Sequence, residues 1–335
     1  MNNYIYILSN QQNISVEKLH ICTWDIRNQK ASVELGLMIV NRNLPNNFDI
    51  YVFAPFLKTN CEISSLHNKL HEASNFKFIF NEEVINAQPL DTGRTGHIVH
   101  YTHDTHAISM AIINVMPISH DGHIRIPINK PAGNYTHIYI RLLIKTQEES
   151  LANISSGSIN KKIYKYDLKV NEYRNEPETI SNSRQQNQLS NIQVKAVYFL
   201  NCVPDNYELS YVDNRKLQSV RLLEMDAFRQ YLDDLNTAEG DYVIAFQKDG
   251  IGNSFSFFTA FSKEHIGNHE IILAVLANIL CTMLFEALPD GWMRKDGFWE
   301  IPNYVWVAIV ILLLVILYCV YGKSLYKRIR KRLKK

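Results

Sequence analysis

The chain has 335 residues, with 46% hydrophobic and 20% charged side chains, a balance that excludes wholesale disorder. Its net charge of +2 conceals an uneven distribution: residues 323–335 hold eight Lys/Arg and no acid, and taking these away leaves −6 on the rest. A mildly acidic body argues against direct nucleic-acid binding. Five widely spaced cysteines, Cys22, Cys61, Cys202, Cys281 and Cys319, do not form the dense, even-numbered framework of a secreted disulfide protein, so a reducing compartment is expected.

At the N-terminus Tyr4 to Leu8 is a five-residue apolar run with no basic residue before it, too short for a signal peptide. Period-two alternation then dominates. Val33, Leu35, Leu37 and Ile39 line one face, as do Phe48, Ile50, Val52, Ala54 and Phe56. Phe76, Phe78 and Phe80 repeat the pattern, followed by Ile124, Ile126 and Ile128, and by Ile138, Ile140, Leu142 and Ile144. Many short half-buried strands, punctuated by Asn/Pro/Gly turns at 43–47 and 129–134, predict an antiparallel sandwich-like domain over 1–173, which includes a strand through Tyr164, Tyr166, Leu168 and Val170.

Histidine is concentrated in this domain. Seven of the twelve are His97, His100, His103, His106, His120, His123 and His137. On an alternating strand His100, Asp104 and His106 point to one side, which makes them the candidate metal ligands, since imidazole and carboxylate suit zinc or iron. The competing reading is a hydrogen-bonded polar sheet face, and the spacing matches no metal signature. Neighbouring imidazoles also suit pH sensing. His67 and His71 stand one helical turn apart but lack the Glu placement of a zinc protease, which leaves chance as the explanation.

Residues 174–191, rich in Asn, Gln and Ser, read as a linker. A smaller α+β domain is expected over 192–262. It comprises a strand Val194–Val203, an amphipathic helix through Leu217, Val220, Leu223, Phe228, Tyr231 and Leu235, and aromatic strands Tyr242–Phe246 and Phe255–Phe261. Nucleotide-binding glycine motifs, serine-hydrolase elbows and paired-cysteine zinc motifs are missing from the sequence. No catalytic residue and no cofactor are therefore assigned, and the chain is not expected to be an enzyme.

Residues 263–322 contain two apolar runs, Ile271 to Leu288 and Tyr304 to Gly322. The second is nineteen uncharged residues, close to a span, with aromatic residues at both ends. The basic tail at 323–335 and a body without a signal peptide both favour the cytoplasm, which an even number of spans satisfies. The expectation is a two-helix transmembrane hairpin in the cell inner membrane with both termini cytoplasmic. Asn278 and Glu286 are the candidates for membrane-helix association, through homo-oligomer contacts or headgroups.

In layout (body at 1–262, hairpin at 271–322, basic tail) the chain resembles the two-transmembrane effectors of bacterial anti-phage systems, including the retron-type ones. The resemblance covers organisation only and transfers no site residues. It implies a membrane-anchored effector whose cytosolic part senses a signal or binds a protein regulator, and which perturbs the lipid bilayer as a homo-oligomer. Two alternatives stay open: a non-enzymatic membrane tether or scaffold, and a His-rich metal-binding membrane protein.

Overall fold

The structure is a computed structural model that describes residues 3–90, 95–103, 106–156, 161–232, 241–250 and 252–264, together with 274–275, 277–279 and 281–282. The chain divides into two compact units: Met1–Ser155 with Ile163–Lys263, and Ser156–Lys162 with Glu264–Lys335.

The elements open with β1 (Asn3–Ser9), β2 (Ser15–Trp24), β3 (Ser32–Val40), β4 (Asn47–Phe53) and β5 (Glu62–Ser65), then two short helices, α1 (His67–Leu70) and α2 (Ala73–Phe80). Next come β6 (Glu83–Pro89), β7 (Gly96–His103), β8 (His106–Ile113), β9 (Ile118–His120), β10 (His123–Asn129), β11 (His137–Lys145), β12 (Asn153–Ser156) and β13 (Lys161–Val170). A 3-10 turn at Tyr173–Asn175 precedes α3 (Glu178–Gln186), β14 (Ser190–Asn191), β15 (Gln193–Pro204), β16 (Glu208–Val212) and β17 (Leu217–Leu222). The series closes with α4 (Met225–Tyr231), β18 (Tyr242–Gly250) and β19 (Phe255–Glu264).

Among the described residues these strands make two large sheets. The first runs β16-β19-β13-β1-β4-β10-β9, and the second β17-β18-β15-β2-β3-β11-β8-β7-β6. Alternation explains why they pack face to face. Ile5, Ile7, Ile50, Val52, Ile124 and Ile126 of the first sheet bury in one core with Leu19, Ile21, Leu35, Leu37, Ile138 and Ile140 of the second. Pairing is mixed rather than antiparallel throughout, because β1–β13, β8–β11 and β2–β15 run parallel.

The outer face of the second sheet carries a separate core. Trp24, Met38 and Tyr139 pack there with Phe76 of α2 and with Phe228 and Tyr231 of α4. That cover explains why β3 is buried on both faces nearly along its whole length. Beneath it Glu34 accepts hydrogen bonds from Arg141 Nε (2.6 Å), Trp24 Nε1 (2.7 Å) and Tyr231 OH (2.8 Å). Arg141 also donates to Tyr139 OH at 3.0 Å, and that oxygen meets His20 Nδ1 at 2.9 Å. Burial alone would lower the Arg141 pKa, but Glu34, Tyr231 and Tyr139 hold it well above its ordinary value. Burial drives His20 down to about 3, so its ring is neutral at physiological pH.

Several sequence expectations are corrected. Phe76, Phe78 and Phe80 lie on α2, not on a strand: Phe76 and Phe80 share one helical face with ring centroids 4.4 Å apart. The helix ends at Asn81, whose left-handed φ of 56° lets its N–H donate to the Lys77 carbonyl. The described part of the helix expected from Leu217 to Leu235 is strand β17 followed by the short α4, in which Phe228 and Tyr231 are the buried pair, and Leu235 lies outside the described residues. Residues 174–191 hold α3, docked through Ile180 onto Tyr6, Leu8 and Phe53. The strands before and after that segment belong to the same two sheets, since β15 pairs with β2 along most of its length.

The fold class is accordingly mostly β with few helices. Among the described residues no helix is long and apolar enough to cross a membrane, which overturns the expected transmembrane hairpin and the two-span inner-membrane placement drawn from it. The uncharged part of the first apolar run gives a physical reason. Its fifteen residues, Ile271 to Phe285, reach about 22 Å as a helix against a hydrocarbon thickness of roughly 30 Å. Asn278 sits in this run, exposed, with its carbonyl accepting from Thr282 Oγ1 at 2.9 Å. Glu286, the run 304–322 and the tail 323–335 lie outside the described residues.

Candidate binding groove

The side chains around an open groove of about 740 Å³ come from β15, from β18 and from the turn entering β17. Antiparallel register puts Tyr198 of β15 opposite Lys248 of β18, and Ala196 opposite Gly250. Lys248 Nζ lies 5.2 Å from the centre of the Tyr198 ring, and the Tyr198 and Phe246 rings are nearly parallel, 5.9 Å apart. These aromatic side chains are half-buried, at the margin of the helical cover.

The turn is built by Asp213. Its carbonyl accepts from Lys216 N–H at 3.0 Å, and its carboxylate accepts from Arg215 N–H at 3.1 Å, an Asx-type turn that leads into β17. The Lys216 carbonyl then accepts from Lys248 N–H at 2.9 Å, which fixes the turn against β18. Lys216 Nζ is committed internally: it pairs with Asp249 at 2.8 Å and donates to the Ser256 carbonyl at 2.7 Å.

Four cations (Lys195, Arg215, Lys216 and Lys248) and two carboxylates (Asp213 and Asp249) thus line the groove. Both carboxylates are engaged: Asp249 pairs with Lys216, and Asp213 accepts from Arg215 N–H and lies 3.9 Å from Arg215 Nε. Arg215 and Lys248 are exposed, and so is Lys195, which lies 3.9 Å from Glu17. The surplus is positive and accessible, and its chemistry is retention of an anion by Coulomb attraction and charged hydrogen bonds.

The sequence-derived histidine site does not assemble. His100 Nδ1 lies 2.7 Å from Ser109 Oγ, inside the β7–β8 pairing. His106 is exposed at the register position facing His103, and His103 contacts Glu82 at 2.6 Å. Asp104 lies outside the described residues. Among the described residues no three His, Cys, Asp or Glu side chains are placed to hold a metal ion.

Another histidine group forms instead. His71, at the end of α1, stacks on His97 of β7 with centroids 4.1 Å apart and planes within 10°. His67, one turn earlier, is buried beside them, and its pKa falls to about 4, first through burial and then through His97 and His71. Burial and then His71 lower His97 as well. Face-to-face rings direct their nitrogen lone pairs along parallel planes, not toward one point, so the stack is a packing arrangement.

The groove itself was not legible, because its cations are scattered over more than fifty residues and meet only through strand register. Compared with known proteins, the chain matches no family model and no curated protein.

Proposed function

We propose that the sandwich is a non-catalytic recognition module that holds an acidic segment of a partner protein in the groove between β15, β18 and the β17 turn. One observation carries the reading. Four cations meet two carboxylates in the groove, a surplus of two positive charges, and Lys195, Arg215 and Lys248 are exposed there. The paired, rigid edge of a large sheet also places these charges on a preformed frame, which limits the ordering cost of binding.

The test is fluorescence anisotropy of the full chain with a labelled octaglutamate, at low and at moderate salt, beside a single-stranded oligonucleotide of equal charge. Saturable binding of the peptide that weakens with salt, and at least tenfold weaker binding by Arg215→Glu/Lys248→Glu, supports the reading. Preference for the oligonucleotide, or binding unchanged by the double charge reversal, would overturn it.

A further inference from the structure

Resting on that reading, we infer that the partner segment binds as an added antiparallel strand along β17, with its acidic C-terminal end in the groove. Charge alone gives too little. Exposed ion pairs contribute about 0–1 kcal/mol each, whereas a micromolar complex needs about 8 kcal/mol. Three accessible cations therefore orient a ligand, and another set of contacts must hold it.

That set lies immediately beside the groove. β17 ends its sheet, pairing only with β18 among the described residues. From Ser219 to Leu222 its register with Phe246 to Val243 is regular. Leu223 N–H donates to the Tyr242 carbonyl at 2.8 Å, so antiparallel alternation turns the N–H and C=O groups of Val220 and Leu222 away from β18, toward the side that has no partner strand among the described residues. Val220 and Leu222 are also exposed large apolar residues, at 40% and 60%. An apolar side chain beside an open backbone edge is what a sheet ordinarily avoids presenting to water.

The other edges are less receptive. β9 has only three residues and follows Pro117, which has no N–H to donate. β17 has its own register break, between Leu217 and Ser219, but Ser219 to Leu222 beyond it pair regularly; β6 is broken between Val84 and Asn86 and ends at Pro89. β16 is broken between Leu209 and Tyr211 and contributes no residue to the groove.

Direction follows from charge. The cationic turn of Asp213 to Lys216 precedes Leu217, at the N-terminal end of β17. An antiparallel partner places its C-terminal end there, which brings the terminal carboxylate and any acidic side chains beside it to Arg215 and Lys248. Upstream, alternate apolar residues of the partner cover Val220 and Leu222. This is recognition by strand addition, with main-chain hydrogen bonds giving affinity and the groove giving direction.

The probe is a synthetic peptide, Thr-Val-Thr-Val-Thr-Glu-Glu-Glu with a free C-terminus, titrated against the full chain by calorimetry. A second peptide of the same sequence, N-methylated throughout its Thr/Val segment, keeps every charge but cannot donate along an edge. Val220→Pro is the matched change in the protein: it removes an N–H that faces outward, so its pairing with β18 is retained. The expected result is binding of the parent peptide, with a loss of at least tenfold on methylation and a similar loss in Val220→Pro. If Val220→Pro fails to fold, the methylated peptide decides alone. Equal binding of both peptides, with sensitivity to Arg215→Glu/Lys248→Glu retained, overturns strand addition and leaves the acidic-ligand reading standing. Absence of any binding by the parent peptide and by octaglutamate overturns both.

Discussion

Replacing Glu34 by Gln tests whether the buried network under the helical cover is held by its charge or only by its shape. The substitution conserves volume and keeps one acceptor oxygen. It removes the negative charge opposite Arg141, which is 5% exposed, and turns an amide N–H₂ toward groups that are donors already: Arg141 Nε, Trp24 Nε1 and Tyr231 OH. Breaking a buried pair from one side costs about 3–5 kcal/mol, because the remaining charge keeps its desolvation penalty. A hydrogen-bond mismatch adds about 1–3 kcal/mol when it cannot relax, and the two effects overlap. A net loss of about 4 kcal/mol is expected, a large share of the 5–15 kcal/mol typical of a folded domain. With a urea dependence of roughly 3 kcal/mol per molar, the midpoint followed by far-ultraviolet circular dichroism moves down by about 1.3 M. Replacing both partners, Glu34→Leu with Arg141→Met, should recover much of the loss, since no charge is then left alone. A midpoint shift below about 0.3 M for the single variant would refute the reasoning, and so would a double variant less stable than the single one.

The stacked histidines give a pH dependence of fixed sign. The folded-state pKa values of His67 and His97 are lowered, so the unfolded chain takes up protons first as pH falls below about 6.5. The urea midpoint should be level above that pH and decline from there toward pH 4, more shallowly in His67→Gln; a midpoint that rises on acidification contradicts the assignment. Asp25 accepts from Tyr166 OH at 2.6 Å and from Ser150 Oγ at 2.7 Å while buried. Tyr166→Phe should therefore cost about 1.5–3 kcal/mol in a urea titration, the range for hydrogen bonds to charged groups. Gly36 lies against Tyr139, and a Cβ there would stand 2.3 Å from the Tyr139 hydroxyl oxygen. Gly36→Ala should lower stability by about 1–3 kcal/mol, and by less when combined with Tyr139→Phe.

Where one face of a strand is apolar, the sequence shows it. The alternations at Phe48–Val52, Ile124–Ile128, Ile138–Ile144 and Tyr164–Val170 correspond to β4, β10, β11 and β13. Failures cluster where a second neighbour changes the rule. Phe76, Phe78 and Phe80 alternate, yet residues four apart also share a helical face, and packing on Tyr101 and Tyr139 selects the helix. Polar composition at 174–191 hides α3, because one buried residue, Ile180, is enough to dock so short a helix. The parallel pairing of β2 with β15 joins segments some 180 residues apart, a relation that local periodicity does not encode. Of the candidate metal residues, alternation along one strand put His100 and His106 on one side, whereas the β7–β8 hairpin sets His100 opposite Ser109 and His106 opposite His103, on opposite faces of the sheet. Lys195, Arg215 and Lys248 drew no notice in the sequence because isolated surface cations are ordinary there.

The placement of the groove follows from the extent of the helical cover. Helices α1, α2 and α4 close over the outer face of the second sheet where Trp24, Met38, Tyr139 and Cys202 need burial, and there β3 is buried on both sides. The cover stops short of the ends of β15 and β18, where the outward residues are Tyr198, Phe246 and, lining the groove, Lys248. Those three remain half-buried or exposed, held by cross-strand register rather than by an overlying layer. A frame whose centre is locked by the Glu34–Arg141 network and whose margin is bare keeps rigidity and accessibility in one sheet. Binding residues placed there gain a fixed geometry from strand pairing without the cost of ordering a loop.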